Sequence, residues 1–274
     1  MKHQKINLHQ RSCPSCGNAS HQEKYKSKDY AVVKCDGCDF VYLPVAAEFE
    51  HYVEGEGAWQ NARGANTVLR LSKMPLRTRF SLATRFRTKF RKKSPVQFLH
   101  RHFSDIAHQR IELLDIGCGN GGYLMSLDEK FVPFGIEISK GLAQQAHESF
   151  SSRGGSVMNA PTTQALHQFA PHSMGAIVMR SYLEHEAQPL EVLKGCASIL
   201  KKDGVVVIKV PNYASVNRMF MGANWCGFRF PDHVNYFTPQ SLTAMAALAG
   251  FRTDQRFTDT LPTSDNMWAA LTLA

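Results

Sequence analysis

The stretch Leu113-Leu114-Asp115-Ile116-Gly117-Cys118-Gly119-Asn120-Gly121-Gly122-Tyr123-Leu124 constrains this chain more than any other. The apolar run from Ile111 to Ile116, interrupted by Glu112, reads as a buried strand. Glycines at alternate positions follow, and Tyr123-Leu124-Met125 then opens a helical pattern. Glycine lets a backbone turn sharply and approach a ligand with no Cβ in the way. The free N–H groups at the start of the next helix point back toward that ligand. The dinucleotide-binding spacing G-x-G-x-x-G can be laid on Gly117, Gly119 and Gly122. Asp115 at the strand end argues against that ligand. A carboxylate beside the loop repels a pyrophosphate and attracts an ammonium group, so a cationic amino acid conjugate is the better expectation.

After Ile111 strands and helices alternate, the pattern of a parallel sheet with crossovers. The second strand, Phe131–Glu137, ends in an acid about twenty residues past the glycine loop, where a carboxylate can accept from both ribose hydroxyls. Ser139 is placed to cap the following helix. Further strands are expected at 156–159, 176–180 and 205–210, with Lys201-Lys202-Asp203-Gly204 ending the helix before the last of these. A long loop over 212–232 carries Trp225, Phe228 and Phe230. Thr238-Pro239 then opens a helix, and segments 251–257 and 267–273 are expected to supply antiparallel last strands.

The N-terminal segment carries Cys13-Pro14-Ser15-Cys16 and Cys35-Asp36-Gly37-Cys38. Each knuckle offers two thiolates from one tight turn, and together they can complete a tetrahedral four-sulfur zinc site. With four ligands that site is closed, hence structural. The remaining cysteines, Cys118, Cys196 and Cys226, make the count odd, against a disulfide framework. Short strands are expected at Tyr30–Val33 and Phe40–Leu43. So small a module has too little core to fold without its metal.

The net charge of +9 is concentrated between Arg63 and Arg110, where thirteen Lys/Arg face one acid, Asp105. Residues 76–93 read as a basic amphipathic helix closed by Ser94-Pro95. Three readings compete for it: a solvated helix packed by its Phe residues, a cap attracting an anionic substrate, or peripheral contact with an acidic membrane surface or RNA. A mixture of the first two is favoured. There is no long uncharged apolar run and no apolar segment behind Met1-Lys2-His3, so neither a membrane span nor a signal peptide is expected, and a cytoplasmic location is the default.

With Asp115, the glycine loop and Glu137 in place, the chain resembles the S-adenosylmethionine-dependent methyltransferases of the Rossmann-like class. The resemblance implies an α/β fold with a seven-stranded, mostly parallel sheet. It also implies an S-adenosylmethionine pocket from Asp115, Gly117, Cys118, Gly119, Gly121, Glu137, Ile138, Asn159, Ala160 and Arg180. Two positions depart from the usual pattern: Asn159 stands where an acid commonly meets the adenine, and Gly175-Ala176 replaces a Phe-Asp pair. The organisation expected is a zinc ribbon over 1–45, a basic helical linker or cap over 46–110, and the methyltransferase domain over 111–274.

Leu183-Glu184-His185, the Pro-Asn after the fifth strand, and His233-Val234-Asn235-Tyr236-Phe237-Thr238 are similar to the small-molecule and glycan branch of the class. In the similar sugar C-methyltransferases, which also carry an N-terminal zinc module, a matching Glu-His pair is implicated in deprotonation. That makes Glu184 and His185 the candidate proton-handling pair, with His233 a second candidate as base or substrate contact. Capping of the next helix is the equally weighted alternative for Glu184 and His185. The acceptor expected is a small anionic or glycan-related molecule, such as a nucleotide-linked or lipid-linked sugar. RNA, gripped by the ribbon and the basic helix, is the alternative.

Overall fold

The structure is a computed structural model, and residues 8–26, 29–47, 95–104, 109–254 and 262–274 are described. The basic segment 76–93 and most of the 46–110 region lie outside them.

The strand order of the main sheet follows from where the long apolar runs fall. Strands β6 (Ile111–Ile116), β7 (Phe131–Ile136), β8 (Ser156–Met158), β9 (Met174–Arg180) and β10 (Leu200–Pro211) run parallel. Strands β12 (Phe251–Thr253) and β13 (Asn266–Leu273) complete seven in the order β12-β13-β10-β9-β6-β7-β8, with β13 antiparallel to both neighbours. The central strands are apolar on both faces, as burial between two helical layers requires. Ile177, Val178, Met179, Val206, Val207 and Ile208 are all fully buried.

Among the described residues the helices are α1 (Pro95–His102), α2 (Gly122–Met125), α3 (Lys140–Ser151), α4 (Thr162–Leu166), α5 (Pro189–Ile199), α6 (Val216–Met221) and α7 (Pro239–Leu248). The start of α7 is as expected: Thr238 Oγ1 accepts from Ser241 N–H, and Ser241 Oγ accepts from Thr238 N–H. Three local expectations shift. Helix α2 is a single turn, entered from Gly121 in the left-handed region. Helix α5 stops at Ile199, and Lys201–Gly204 instead forms an irregular stretch of β10, between Leu200 paired with Met174 and Val205 paired with Ala176. The 212–232 loop contains α6 and a short 3-10 turn at Gly222–Asn224.

The N-terminal strands are β1 (Leu8–Gln10), β2 (His21–Lys26), β3 (Ala31–Cys35), β4 (Val41–Tyr42) and β5 (Val45–Ala47). Strands β2, β3 and β4 form a sheet whose fourth member comes from far along the chain. Strand β11 (Asn235–Tyr236) pairs antiparallel with β4. Cys13, Val33, Cys35, Phe40 and Tyr42 lie in one apolar cluster with Ile116, Met179, Ile208 and Phe237 of the main domain. Phe40 meets Phe237 edge-on with ring centres 5.2 Å apart. Burying each such ring contributes about 1.5–3 kcal/mol, so the N-terminal module borrows core from the domain it sits on.

Candidate active site

The sheet registers bring the functional side chains to one edge. Asp115 is level with Val178 and Gly135, and Arg180 is level with Lys209. These are the carboxyl ends of the parallel strands, where open α/β sheets bind their ligands.

The glycine loop needs its glycines for different reasons. Gly117 (φ 74°) and Gly121 (φ 78°) lie in the left-handed region, and a Cβ on them would come within 2.9 Å of Tyr182 Cδ2 and 2.6 Å of Phe150 Cε1. At Gly119 (φ 59°) a Cβ would meet only open space. That position leaves room beside the loop into which a ligand can approach.

Glu137 is buried at the end of β7. Its Oε2 accepts from Gly119 N–H at 2.8 Å and its Oε1 from Ser139 N–H at 2.9 Å. The carboxylate therefore ties the glycine loop to the second strand. Asn159 donates its amide to the carbonyls of Glu137 and Ile138, both at 2.9 Å. This spends both amide hydrogens on bracing the loop, and the amide oxygen remains as acceptor. Ile138 and Ala160 flank it, half-buried, while Cys118 is buried under the loop with its Sγ against Gly135.

Asp115 is buried with Oδ2 lacking a hydrogen-bond partner among the described residues, and so are Arg180 Nε and the Tyr123 hydroxyl. Burial pushes the Asp115 carboxyl up to about 7, while Arg180 pulls it down and Glu137 raises it further. An unsatisfied buried carboxylate costs several kcal/mol unless something pairs with it. A carboxylate oxygen and a guanidinium Nε without hydrogen-bond partners beside one glycine loop suit an amino acid zwitterion, its ammonium toward Asp115 and its carboxylate toward Arg180. The methionine moiety of S-adenosylmethionine has that chemistry, and Glu137 suits its ribose.

Past β9 the chain turns through Ser181 (φ 59°), whose N–H donates to Lys209 O at 2.8 Å, into the segment carrying Glu184 and His185. Segment 225–237 closes over it. His185 Nδ1 is 2.8 Å from Asp232 O, and His233 Nδ1 is 2.8 Å from Gly227 O. The two rings pack edge-on with centres 4.6 Å apart. One ligand-type atom from each of Glu184, His185 and His233 lies within 4.8 Å of the others. The structure thus gathers all three sequence candidates into one cluster, with Glu184 and His233 buried and His185 half-buried.

Burial dominates the electrostatics of this cluster. It pushes Glu184 up to about 8, with Lys209 and Arg229 pulling in the opposite direction. It holds His185 well below its ordinary value, helped by His233 and Arg229, and lowers His233 to about 4, helped by Arg229. Both rings are neutral at pH 7. Lys209 and Arg229 act on the cluster from outside and give it a positive surrounding that suits an anionic ligand.

In the N-terminal module, Cys13 Sγ lies 3.5 Å from Cys38 Sγ, and Cys16 Sγ lies 3.5 Å from Cys35 Sγ. All four sulfurs fall within 4.8 Å of one another. A tetrahedral zinc with bonds of about 2.3 Å separates its sulfurs by about 3.8 Å, so the donor set fits that metal.

Sequence reasoning missed Tyr123, Lys209, Arg229 and Asn235 as neighbours of these sites. Tyr123 and Asn235 belong to stretches that were singled out; Lys209 and Arg229 carry no local signal and are placed by the sheet register and the closing loop.

A family model described as "Methyltransferase domain" matches residues 86–256. The chain therefore belongs to the methyltransferase-domain family. Among particular relatives, the ubiquinone biosynthesis O-methyltransferase of Neisseria meningitidis serogroup C (strain 053442) is 25% identical over 157 residues, covering 54% of this chain and 65% of that protein. The protein of that description from Nitrosospira multiformis is 26% identical over 147 residues, covering 51% and 62%. The chain thus spans just under two thirds of the length of these curated relatives. Among solved structures, an S-adenosylmethionine-dependent methyltransferase from Clostridium acetobutylicum ATCC 824 aligns with a TM-score of 0.51 at 11% identity, covering 69% of this chain and 94% of that one. The magnesium protoporphyrin IX methyltransferase of Synechocystis PCC 6803, with bound SAH, aligns at 0.50 and 12% identity, covering 65% and 82%. These likenesses show the fold. No helix among the described residues is long and apolar enough to cross a membrane.

Proposed function

We propose that the protein methylates an ionisable hydroxyl on a small anionic acceptor of the nucleotide-linked or lipid-linked sugar type. The observation that carries this reading is the neutral His185–His233 pair beside the buried Glu184, with Lys209 and Arg229 nearby. The curated relatives, described as O-methyltransferases, support oxygen as the methylated atom. The sugar class rests on the Leu183-Glu184-His185 and His233–Thr238 stretches and on the N-terminal cysteine module.

S-adenosylmethionine supplies a methyl group already activated by its sulfonium. The protein's task is to hold the acceptor in line and to remove a proton. Asp115, Arg180 and Glu137 would anchor the cofactor. Lys209 and Arg229 would draw the anionic acceptor to the same edge. The carbonyls of Asp232 and Gly227 take the Nδ1–H of each ring and direct the basic lone pair to Nε2. Burial holds Glu184 protonated, at about 8, and lowers His233 to about 4, so the neutral rings are the groups that would take the acceptor's proton. The four N-terminal cysteines would hold a structural zinc.

The test is methyl transfer from tritiated S-adenosylmethionine to separate panels of nucleotide sugars, lipid-linked sugars, phenolic hydroxyl acceptors and RNA. Transfer to a sugar hydroxyl, reduced about 10²–10⁴-fold by His185→Ala, is the expected result. Methylation confined to RNA would overturn it.

A further inference from the structure

We propose that the N-terminal cysteine module is part of the active site, and that Arg11 is the positioning residue through which it holds the His185–His233 pair in place. The inference rests on the proposed role of that pair.

Arg11 stands two residues before Cys13, yet its guanidinium reaches three other parts of the chain. Nε donates to Leu43 O at 2.9 Å, Nη1 donates to Ala187 O at 2.9 Å, and Nη2 donates to Val234 O and to Asn235 Oδ1. Its carbon lies 5.5 Å from the Tyr42 ring centre. An arginine guanidinium remains a cation at neutral pH. Among the described residues no carboxylate lies at ion-pair distance from it. This cation is used for geometry: a rigid planar fork joining backbone carbonyls that belong to different segments.

Each segment it joins leads to the histidines. Val234 and Asn235 both donate their N–H to Glu184 O, at 2.7 and 3.1 Å. Asn235 Nδ2 donates to Leu183 O and Glu186 O, both at 2.7 Å. Arg11 therefore clamps the 183–187 segment and the 233–235 segment against each other and against the module.

Two further sets of contacts hold the same loop. Strand β11 pairs with β4, and Leu43 N–H donates to Val234 O at 2.9 Å. Tyr25 stacks on Phe228 with centres 4.9 Å apart, and Tyr30 on Phe230 at 5.6 Å. Those phenylalanines sit between Gly227 and Asp232, whose carbonyls orient the two imidazoles. A module serving only as a separate anchor would have no need to contact the strip that supplies both of these carbonyls.

The experiment uses the full chain in three forms: wild type, Arg11→Lys, and Tyr25→Leu. Lysine keeps the charge and loses the fork. Each form is checked for zinc content and for S-adenosylmethionine affinity by calorimetry. The imidazoles of His185 and His233 are then titrated by NMR with carbon-labelled histidine. The groups around them are Glu184, Arg229 and each other, with Lys209 acting on Glu184.

The expected result is cofactor affinity within about twofold of wild type, with imidazole signals that move and titrate closer to ordinary histidine, by about one pH unit or more. Unchanged imidazole titrations in variants that retain zinc and cofactor binding would overturn the inference. If Arg11→Lys does not fold, Tyr25→Leu decides on the same criterion. The catalytic reading fails separately: full methyl transfer by His185→Ala would remove it, while shifted imidazoles in Arg11→Lys would still establish the coupling.

Discussion

Arg180 holds its guanidinium carbon 3.5 Å from the centre of the Tyr123 ring, one strand over from the buried Asp115. The ring steadies the cation from one face, and Asp115 and Arg180 act on each other electrostatically. Tyr123→Leu is expected to weaken S-adenosylmethionine binding by about 0.5–2 kcal/mol, the range of a partly desolvated cation–π contact. Calorimetry would measure this, and an unchanged affinity would remove Tyr123 from the site.

Asp115 is expected to make cofactor binding pH-dependent. Its folded-state carboxyl is raised to about 7, so free protein below that pH carries it protonated, while an ammonium ligand needs it ionised. Affinity should fall by up to about tenfold per unit as pH drops below 7, and Asp115→Asn should flatten that dependence. Affinity constant from pH 8 to pH 5.5 would contradict this.

Glu184 offers a stability measurement that needs no acceptor. Its folded pKa of about 8 lies above its unfolded value. Both states are protonated at low pH, so no penalty exists there. The penalty grows as pH rises through the unfolded value of about 4.3 and is complete above about 8. Glu184→Gln should therefore raise the melting temperature at pH 8.5 and not at pH 4. A uniform effect at both would show that Glu184 is not held protonated by burial.

Glu137 bonds two loop N–H groups, Gly119 and Ser139. Glu137→Ala should weaken S-adenosylmethionine binding by roughly 1.5–3 kcal/mol, through the lost ribose contact. Gly119→Val should abolish binding by filling the open space at that position. Unchanged affinity in both variants would move the cofactor elsewhere.

Purified protein should carry one zinc per chain, released by Cys13→Ser or Cys38→Ser and detected by elemental analysis. Cofactor affinity should survive metal removal, because Asp115, Glu137 and Arg180 lie on the main sheet. Iron, or no metal, would refute the zinc assignment.

Much of the fold was legible because it is written in local patterns. The apolar run ending in Asp115, the alternate glycines and the acid closing the next strand need only neighbours along the chain. So do the Thr238-Pro239 helix start and the paired cysteines. Less was legible where two signals competed. Lys201–Gly204 has the composition of a helix stop, yet α5 ends at Ile199 and β10 takes those residues, since the crossover is already long enough. Helix α6 was hidden in an aromatic loop because six residues carry too little periodicity.

The sequence by itself determined the parallel sheet, the glycine loop and the four-thiol module, since each depends on spacing within a few dozen residues. Only the tertiary structure decided that the module shares core and sheet with the domain it was expected merely to precede. A two-residue strand such as Asn235–Tyr236 has no signature until its partner, Val41–Tyr42, is beside it. The role of Arg11 was equally hidden. Its hydrogen bonds span 32 to 224 residues of separation, and no local pattern records a backbone carbonyl that distant.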